Sequence, residues 1–221
     1  MQTAVLQLRS QIESRFDLPL EIRQRPDRLQ LATGIPALDA ITDGGIPRGT
    51  LTEVCGAEST GRTALLFVLL REATRRGEYC AWIDAEGVFD PASAAESGVV
   101  LDRVLWVNCG GNPQHALKST DLLIQAGGFG LVVFDLAGIP NAVTRRIPLA
   151  SWFRLRHAAE RMGAALVAIE QEINARSCSA LQLEMSPALP VWKGRLLYAL
   201  KAYPESRKHY RSRTAEFLAT R

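Results

Sequence analysis

Hydrophobic positions along this 221-residue chain follow two rhythms. Val5, Leu8, Ile12 and Phe16 recur at spacings of three and four, which predicts an amphipathic helix over residues 1–16. A proline-containing connector, residues 17–28, then separates that helix from the rest. From Leu29 onward, short apolar runs alternate with helical patterns. Strands are predicted over residues 50–55, 79–83, 104–107, 131–134 and 165–169, with two further strands over 180–184 and 196–202. Helices are predicted over residues 63–76, 113–126 and 151–162. Asn112 and Pro113 open the second helix, Gly127 and Gly128 close it, and Ser151 is read as the cap of the third. Strand–helix alternation of this kind means an α/β fold with a mostly parallel central sheet. The expected division is an N-terminal helix and connector (1–28), a core domain (29–203) and a basic C-terminal tail (204–221).

Composition adds exclusions. With 47% hydrophobic and 22% charged residues the chain has the make-up of a globular protein, not of a disordered one. Its longest clean apolar run, residues 64–70, falls far short of the ~20 residues of a membrane span. The first residues lack the apolar stretch of a secretory signal. Cys55, Cys80, Cys109 and Cys178 are scattered without metal-ligand spacing, as are the three histidines. Buried thiols in a reducing cytoplasm are the expectation. The net charge of +3 conceals an imbalance: residues 193–221 carry eight Lys and Arg against two Glu, a surplus of +6. Lys193, Arg195, Arg207, Lys208, Arg211 and Arg213 are therefore candidate phosphate-backbone contacts, and equally the charges of a soluble end.

The densest chemical signal is Gly56-Ala57-Glu58-Ser59-Thr60-Gly61-Arg62-Thr63, between a predicted strand and a predicted helix. It fits the phosphate-binding pattern G-x-x-x-x-G-K-[ST] at both glycines, in spacing and at the hydroxyl, but Arg62 stands where lysine is expected. Such a loop turns backbone N–H groups toward phosphates at a helix N-terminus, and Thr63 would hold Mg²⁺. Downstream, residues 131–134 run into Asp135, where a second Mg²⁺-assisting carboxylate belongs. Glu86, just past the strand at 79–83, is placed to act as a general base. Arginine is longer, planar and directional, and does not reproduce the point charge of lysine at a transferring phosphoryl group. ATP or ADP with Mg²⁺ is expected to bind weakly, with hydrolysis impaired. Arg145, Arg146, Arg154 and Arg156 interleave with Trp152 and Phe153, a combination that can contact nucleic acid by phosphate pairing and base stacking. The plainer reading places the bulky side chains partly in the core and the arginines in solvent.

With these motifs placed, the sequence resembles the RecA family from about Leu29 to Ala202. Thr33-Gly34-Ile35-Pro36-Ala37-Leu38-Asp39 and Gly44-Gly45-Ile46-Pro47-Arg48-Gly49 look like the segment leading into the RecA phosphate loop. Glu58-Ser59 with Gly61 and Thr63 matches its form of that loop. Trp82-Ile83-Asp84-Ala85-Glu86, then Asp90-Pro91, matches the stretch carrying the catalytic glutamate, which falls on Glu86. Ile169-Glu170-Gln171 is similar to the strand end carrying the γ-phosphate-sensing glutamine, which falls on Gln171. The resemblance implies a RecA-type ATPase core. The departures are Arg62, Leu136 after the aspartate, and Ser93 where RecA places a tyrosine against adenine. Both DNA-binding loops are shortened, the second to residues 172–179.

A shortened, arginine-rich RecA relative resembles the ImuA family. That resemblance implies a role in the SOS response and translesion synthesis beside an ImuB-like polymerase subunit, with antagonism of RecA itself. RecA-type filaments pack an N-terminal helix on the neighbouring subunit. The stripe Val5, Leu8, Ile12, Phe16 is therefore a candidate surface for RecA or for self-association. The implied location is cytoplasmic, at the nucleoid. Two classes of function compete: a regulatory module acting through protein contacts, and a weak DNA-stimulated ATPase or DNA-binding recombinase paralogue.

Overall fold

The structure is a computed structural model that describes Gln7, Ser10 and residues 30–208 and 211–220. The stripe Val5, Leu8, Ile12 and Phe16 lies outside the described residues.

A two-stranded ribbon, β1 (Gln30–Leu31) and β2 (Ile46–Pro47), brackets the short helix α1 (Pro36–Ile41). The chain then alternates: β3 (Thr50–Gly56), α2 (Arg62–Arg75), β4 (Tyr79–Asp84), α3 (Pro91–Glu96), β5 (Val104–Asn108), α4 (Pro113–Ala126), β6 (Phe129–Asp135). After α5 (Asn141–Thr144) and α6 (Leu149–Met162) come β7 (Ala165–Glu170), β8 (Ser179–Lys193), β9 (Leu196–Lys208), β10 (Arg211–Thr214) and β11 (Phe217–Thr220). In the main sheet the order is β10-β9-β8-β3-β7-β6-β4-β5, with β11 also on β9. From β8 to β5 every pairing is parallel; β9, β10 and β11 are added antiparallel. The expected α/β fold with a mostly parallel sheet is present.

A period of two along the strands sorts side chains onto two cores. Trp82, Val133 and Val167 pack on the face covered by Leu65, Leu66, Leu69 and Leu70 of α2. Their neighbours Ala81, Ile83, Val132 and Leu166 pack on the other, with Leu123 of α4 and Trp152 and Leu155 of α6. Burial on both faces is why the central strands read as unbroken apolar runs. The α4 cap is as expected: the Asn112 carboxamide oxygen accepts from the Gln114 and His115 N–H groups, 3.0 Å each. Asn112→Ala should cost ~1 kcal/mol in chemical denaturation, the ordinary loss of a side-chain cap.

Three elements differ from the sequence expectation. Helix α6 begins at Leu149, after Pro148, and Ser151 is an internal residue whose N–H donates to the Pro148 carbonyl at 2.8 Å. Proline at the N-cap, with its fixed φ, starts the helix earlier than the serine signal suggested. Strands β8 and β9 run to 15 and 13 residues. Pro187 and Pro190 hid the length of β8. They lie beyond Met185, the last residue paired with β3, where one edge is open and the ladder to β9 shifts register. The stretch 204–221 is not a free tail among the described residues. It completes β9 and forms β10 and β11, and it carries Phe217 into the core beside Ala202.

Candidate functional site

The phosphate loop joins β3 to α2 at the carboxyl end of the parallel strands, where α/β sheets place ligands. Gly61 takes φ +87° as the residue before α2, with no side chain capping the helix, so the first N–H groups of α2 remain available to an anion. Gly56 must be glycine for a second reason: a Cβ there would stand 2.5 Å from the Met185 carbonyl of the neighbouring strand. Thr60 is buried and its hydroxyl donates to the Ala57 carbonyl at 2.8 Å, closing the loop. Glu58, Ser59 and Thr63 are exposed.

A cleft of about 790 Å³ opens beside this loop. It is lined by Ser59, Thr60, Gly61, Arg62 and Thr63 of the loop and helix start, by Phe67, Val68 and Arg71 further along α2, and by Asp90, Ser93 and Glu96. Leu200 of β9 and Leu218 of β11 add an apolar margin. At Ser93 the hydroxyl donates to Asp90 at 2.5 Å, and Asp90 also accepts from the Ala92 and Ser93 N–H groups. These bonds, the Ser93 hydroxyl first, hold the Asp90 carboxyl below its usual range. The loop and the uncapped start of α2 line one part of the cleft, and Ser93 presents no aromatic face to it.

Arg62 is where the cradle departs most. The side chain is buried, and its Nη1 donates to the Glu170 carbonyl at the end of β7, at 2.5 Å. Burial lowers its pKa, while Asp135, Cys55 and Glu58 support the charge.

Asp135 ends β6, buried, and accepts from the Ala137 N–H at 3.0 Å. Burial pushes its pKa up to about 6. The Trp82 indole eases that charge without closing a hydrogen bond of its own. Glu86 is exposed, and its carboxylate lies against Gly138, where an added Cβ would overlap it. Gln171 Nε2 donates to the Ala137 carbonyl at 3.3 Å. The structure thus gathers Asp135, Glu86 and Gln171 around one turn, Ala137 and Gly138. Asp84, one strand over, is occupied instead by the Gly87 and Phe89 N–H groups and the Trp106 indole.

The six candidate cations divide. Arg207 pairs with Glu184 at 2.8 Å and with Glu205 at 3.5 Å, and Arg213 with Asp43 at 2.8 Å. Lys208 and Arg211 are strand residues whose side chains are not among those described. Lys193 and Arg195 are exposed at the β8–β9 turn, with Lys193 over the Tyr198 ring at 5.3 Å. On α6, Trp152 and Leu155 are fully buried and Arg154 pairs with Asp121, as the plainer reading has it, whereas Phe153 is exposed.

Sequence reading missed a buried polar cluster beneath residues 171–179. Glu53 of β3 is fully buried; its Oε1 accepts from the Asn174 and Ala175 N–H groups at 2.8 and 2.7 Å. Its Oε2 accepts from the Ser179 hydroxyl at 2.6 Å and Gln182 Nε2 at 3.1 Å. Glu170 of β7, also fully buried, accepts from Asn174 Nδ2. A carboxylate inside a central strand was the available signal.

Among the described residues no helix is long and apolar enough to cross a membrane. Residues 7–183 match the RecA N-terminal domain. The Protein RecA of Rickettsia canadensis (strain McKiel) is 40% identical over 119 residues, covering 52% of this chain and 34% of that protein. For the Protein RecA of Laribacter hongkongensis (strain HLHK9) the figures are 38% over 149 residues, 64% and 42%. For that of Deinococcus radiodurans they are 39% over 131 residues, 57% and 36%. The chain therefore spans well under half the length of the curated relatives it matches. Since that match covers most of its length, the chain belongs to the RecA N-terminal domain family.

Proposed function

We propose that this chain is an ImuA-like accessory protein of the DNA-damage (SOS) response, acting in translesion synthesis and restraining RecA-dependent recombination through protein contacts. The observation that carries this reading is Arg62. Its guanidinium is turned onto the Glu170 carbonyl, so the cation that should meet the β- and γ-phosphates is committed elsewhere. ATP or ADP with Mg²⁺ then binds through the loop N–H groups, Thr63 and Asp135, and turns over little. Of the two segments where a recombinase carries its DNA-binding loops, the first holds the short helix α5 and the second is residues 171–178, tied down by Glu53 and Glu170. Partners are sought among RecA, an ImuB-like polymerase subunit and a second copy of this chain, with Val5, Leu8, Ile12 and Phe16 as the contact. The proposed location is the cytoplasm, at the nucleoid.

Phosphate release should run on the order of 100-fold below a RecA protein assayed alongside, with or without single-stranded DNA. Release comparable with that RecA would overturn the reading. The second reading, a weak DNA-stimulated ATPase, draws on the gathering of Asp135, Glu86 and Gln171 at Ala137 and Gly138. It predicts that Arg62→Lys raises turnover, since the remaining groups are aligned; an inert Arg62→Lys protein counts against it. Residual DNA binding should fall steeply with salt and weaken when Lys193 and Arg195 are both changed to Gln. Changing Arg207, which is already paired with two glutamates, should matter less.

A further inference from the structure

The Arg62 contact does more than withdraw a cation from the cleft. The Glu170 carbonyl it meets belongs to the last residue of β7, and the next residue is Gln171. From that point residues 171–178 are fastened on the side away from the nucleotide cleft: Glu53 takes the Asn174 and Ala175 N–H groups, and the Glu170 carboxyl takes Asn174 Nδ2. Asn174 Nδ2 also lies 3.2 Å from the Thr144 hydroxyl, which reaches α5. On the near side, Gln171 offers its carbonyl to the Gly56 N–H at 3.2 Å and its Nε2 to Ala137. A chain of bonds therefore runs from the start of α2, through the end of β7, into both segments that follow β6 and β7. A strand end that reports on nucleotide has to be free to move between two arrangements when the ligand arrives. Here a buried side chain of the protein already holds it.

We propose that Arg62 is a positioning residue: it ties the start of α2 to the end of β7 and keeps residues 171–178, Gln171 among them, in one arrangement whether or not nucleotide occupies the cleft. This rests on the reading of the cleft as a nucleotide site, and it deepens that reading by making the site silent toward the rest of the molecule. A buried, charged donor on a backbone carbonyl is among the stronger hydrogen bonds a protein makes, and its loss leaves that carbonyl without the partner.

The test is hydrogen exchange at the Asn174, Ala175 and Cys178 amides of the full chain, with and without Mg-ATP, with nucleotide occupancy followed separately by a fluorescent ATP analogue. In the parent protein these amides should exchange at the same rate in both conditions. In Arg62→Met they should exchange roughly 10- to 100-fold faster without nucleotide, while the amides of β4 and β6 keep their protection. In Arg62→Lys they should be fast without nucleotide and slow again when Mg-ATP is added, a response that a merely structural role would not produce. If Arg62→Met fails to fold, Arg62→Gln, which is too short to reach the carbonyl, carries the same comparison. Parent-like exchange in the Met or Gln protein overturns the proposal, as does a parent protein whose amides slow when occupied by ATP. Should the analogue bind neither the parent nor Arg62→Lys, the nucleotide-site reading fails, and the nucleotide-free comparison still decides the role of Arg62.

Discussion

Glu53→Ala is expected to destabilise the protein by about 3–5 kcal/mol, the largest single effect foreseen for a polar residue of this chain. Glu53 sits at 0% exposure in the middle of β3 and receives four donors: two backbone N–H groups, the Ser179 hydroxyl and the Gln182 amide. Alanine strands the Asn174 and Ala175 N–H groups, leaves Ser179 and Gln182 with the Arg176 carbonyl as acceptor, and opens a cavity between β3 and residues 174–182. For a chain of this size the loss corresponds to a fall in Tm of roughly 6–20 °C. Glu53→Gln should cost less, because its amide oxygen can still accept the Asn174 and Ala175 N–H groups while its NH₂ meets Ser179 and Gln182 as a competing donor. Thermal and urea denaturation of the two variants beside the parent decide this. A loss below ~1 kcal/mol for Glu53→Ala would mean that residues 174–182 are held by something other than this carboxylate.

The same residue shows what a sequence can and cannot disclose. The five parallel strands from β3 to β7 were legible as short, mostly apolar segments separated by glycines or capped helices, with burial on both faces making β6 and β7 the clearest. The candidate phosphate loop could be picked out because such chemistry demands particular residues at fixed spacing in a stretch of continuous chain. Asp135, Glu86 and Gln171 could be named for the same reason, each lying just past a readable strand. Their convergence on Ala137 and Gly138 could not, since it depends on how three strand ends splay across the sheet. Arg62 could be identified as a departure, yet the direction of its guanidinium is set by the Glu170 carbonyl, 108 residues away in sequence. Glu53 was read only as part of a strand. Its partners lie more than 120 residues further on, and no local pattern announces a carboxylate that serves as a clasp. At the C-terminal end, charge misled. The surplus of basic residues suggested a solvated tail, whereas Ala202 and Phe217, spaced among those charges, pull the segment into the sheet. Apolar residues sparsely placed in a basic stretch still decide its fate when they are all that is needed to cover an exposed strand edge.

Stability should fall as pH rises from about 5 to 8, and Glu170→Gln should remove most of that slope. Glu170 is fully buried at the end of β7, and burial raises its pKa from 4.5 to about 8. The hydrogen bond from Asn174 opposes that rise, and the Glu53 carboxylate adds to it. One of its oxygens, Oε1, has no hydrogen-bond partner. The folded protein therefore holds a proton on Glu170 through a range in which the unfolded chain has released it. Folding takes up that proton, so the native state is favoured at the acid end, near pH 4.5, and loses this advantage progressively until Glu170 ionises near pH 8. In the middle of the window the slope approaches about 1.4 kcal/mol per pH unit for one proton. Glutamine matches the protonated acid in shape: its oxygen can accept from Asn174 Nδ2, and its NH₂ takes the place of the unpartnered oxygen. Glu170→Gln should consequently equal the parent near pH 5 and exceed it by a few kcal/mol near pH 8, read as the difference between two urea-denaturation series across that range. Parallel curves for the two proteins would show that the Glu170 carboxyl ionises normally inside the fold. On the Glu53→Ala background the difference should shrink, because the carboxylate that adds to the rise is gone while burial, its main cause, remains.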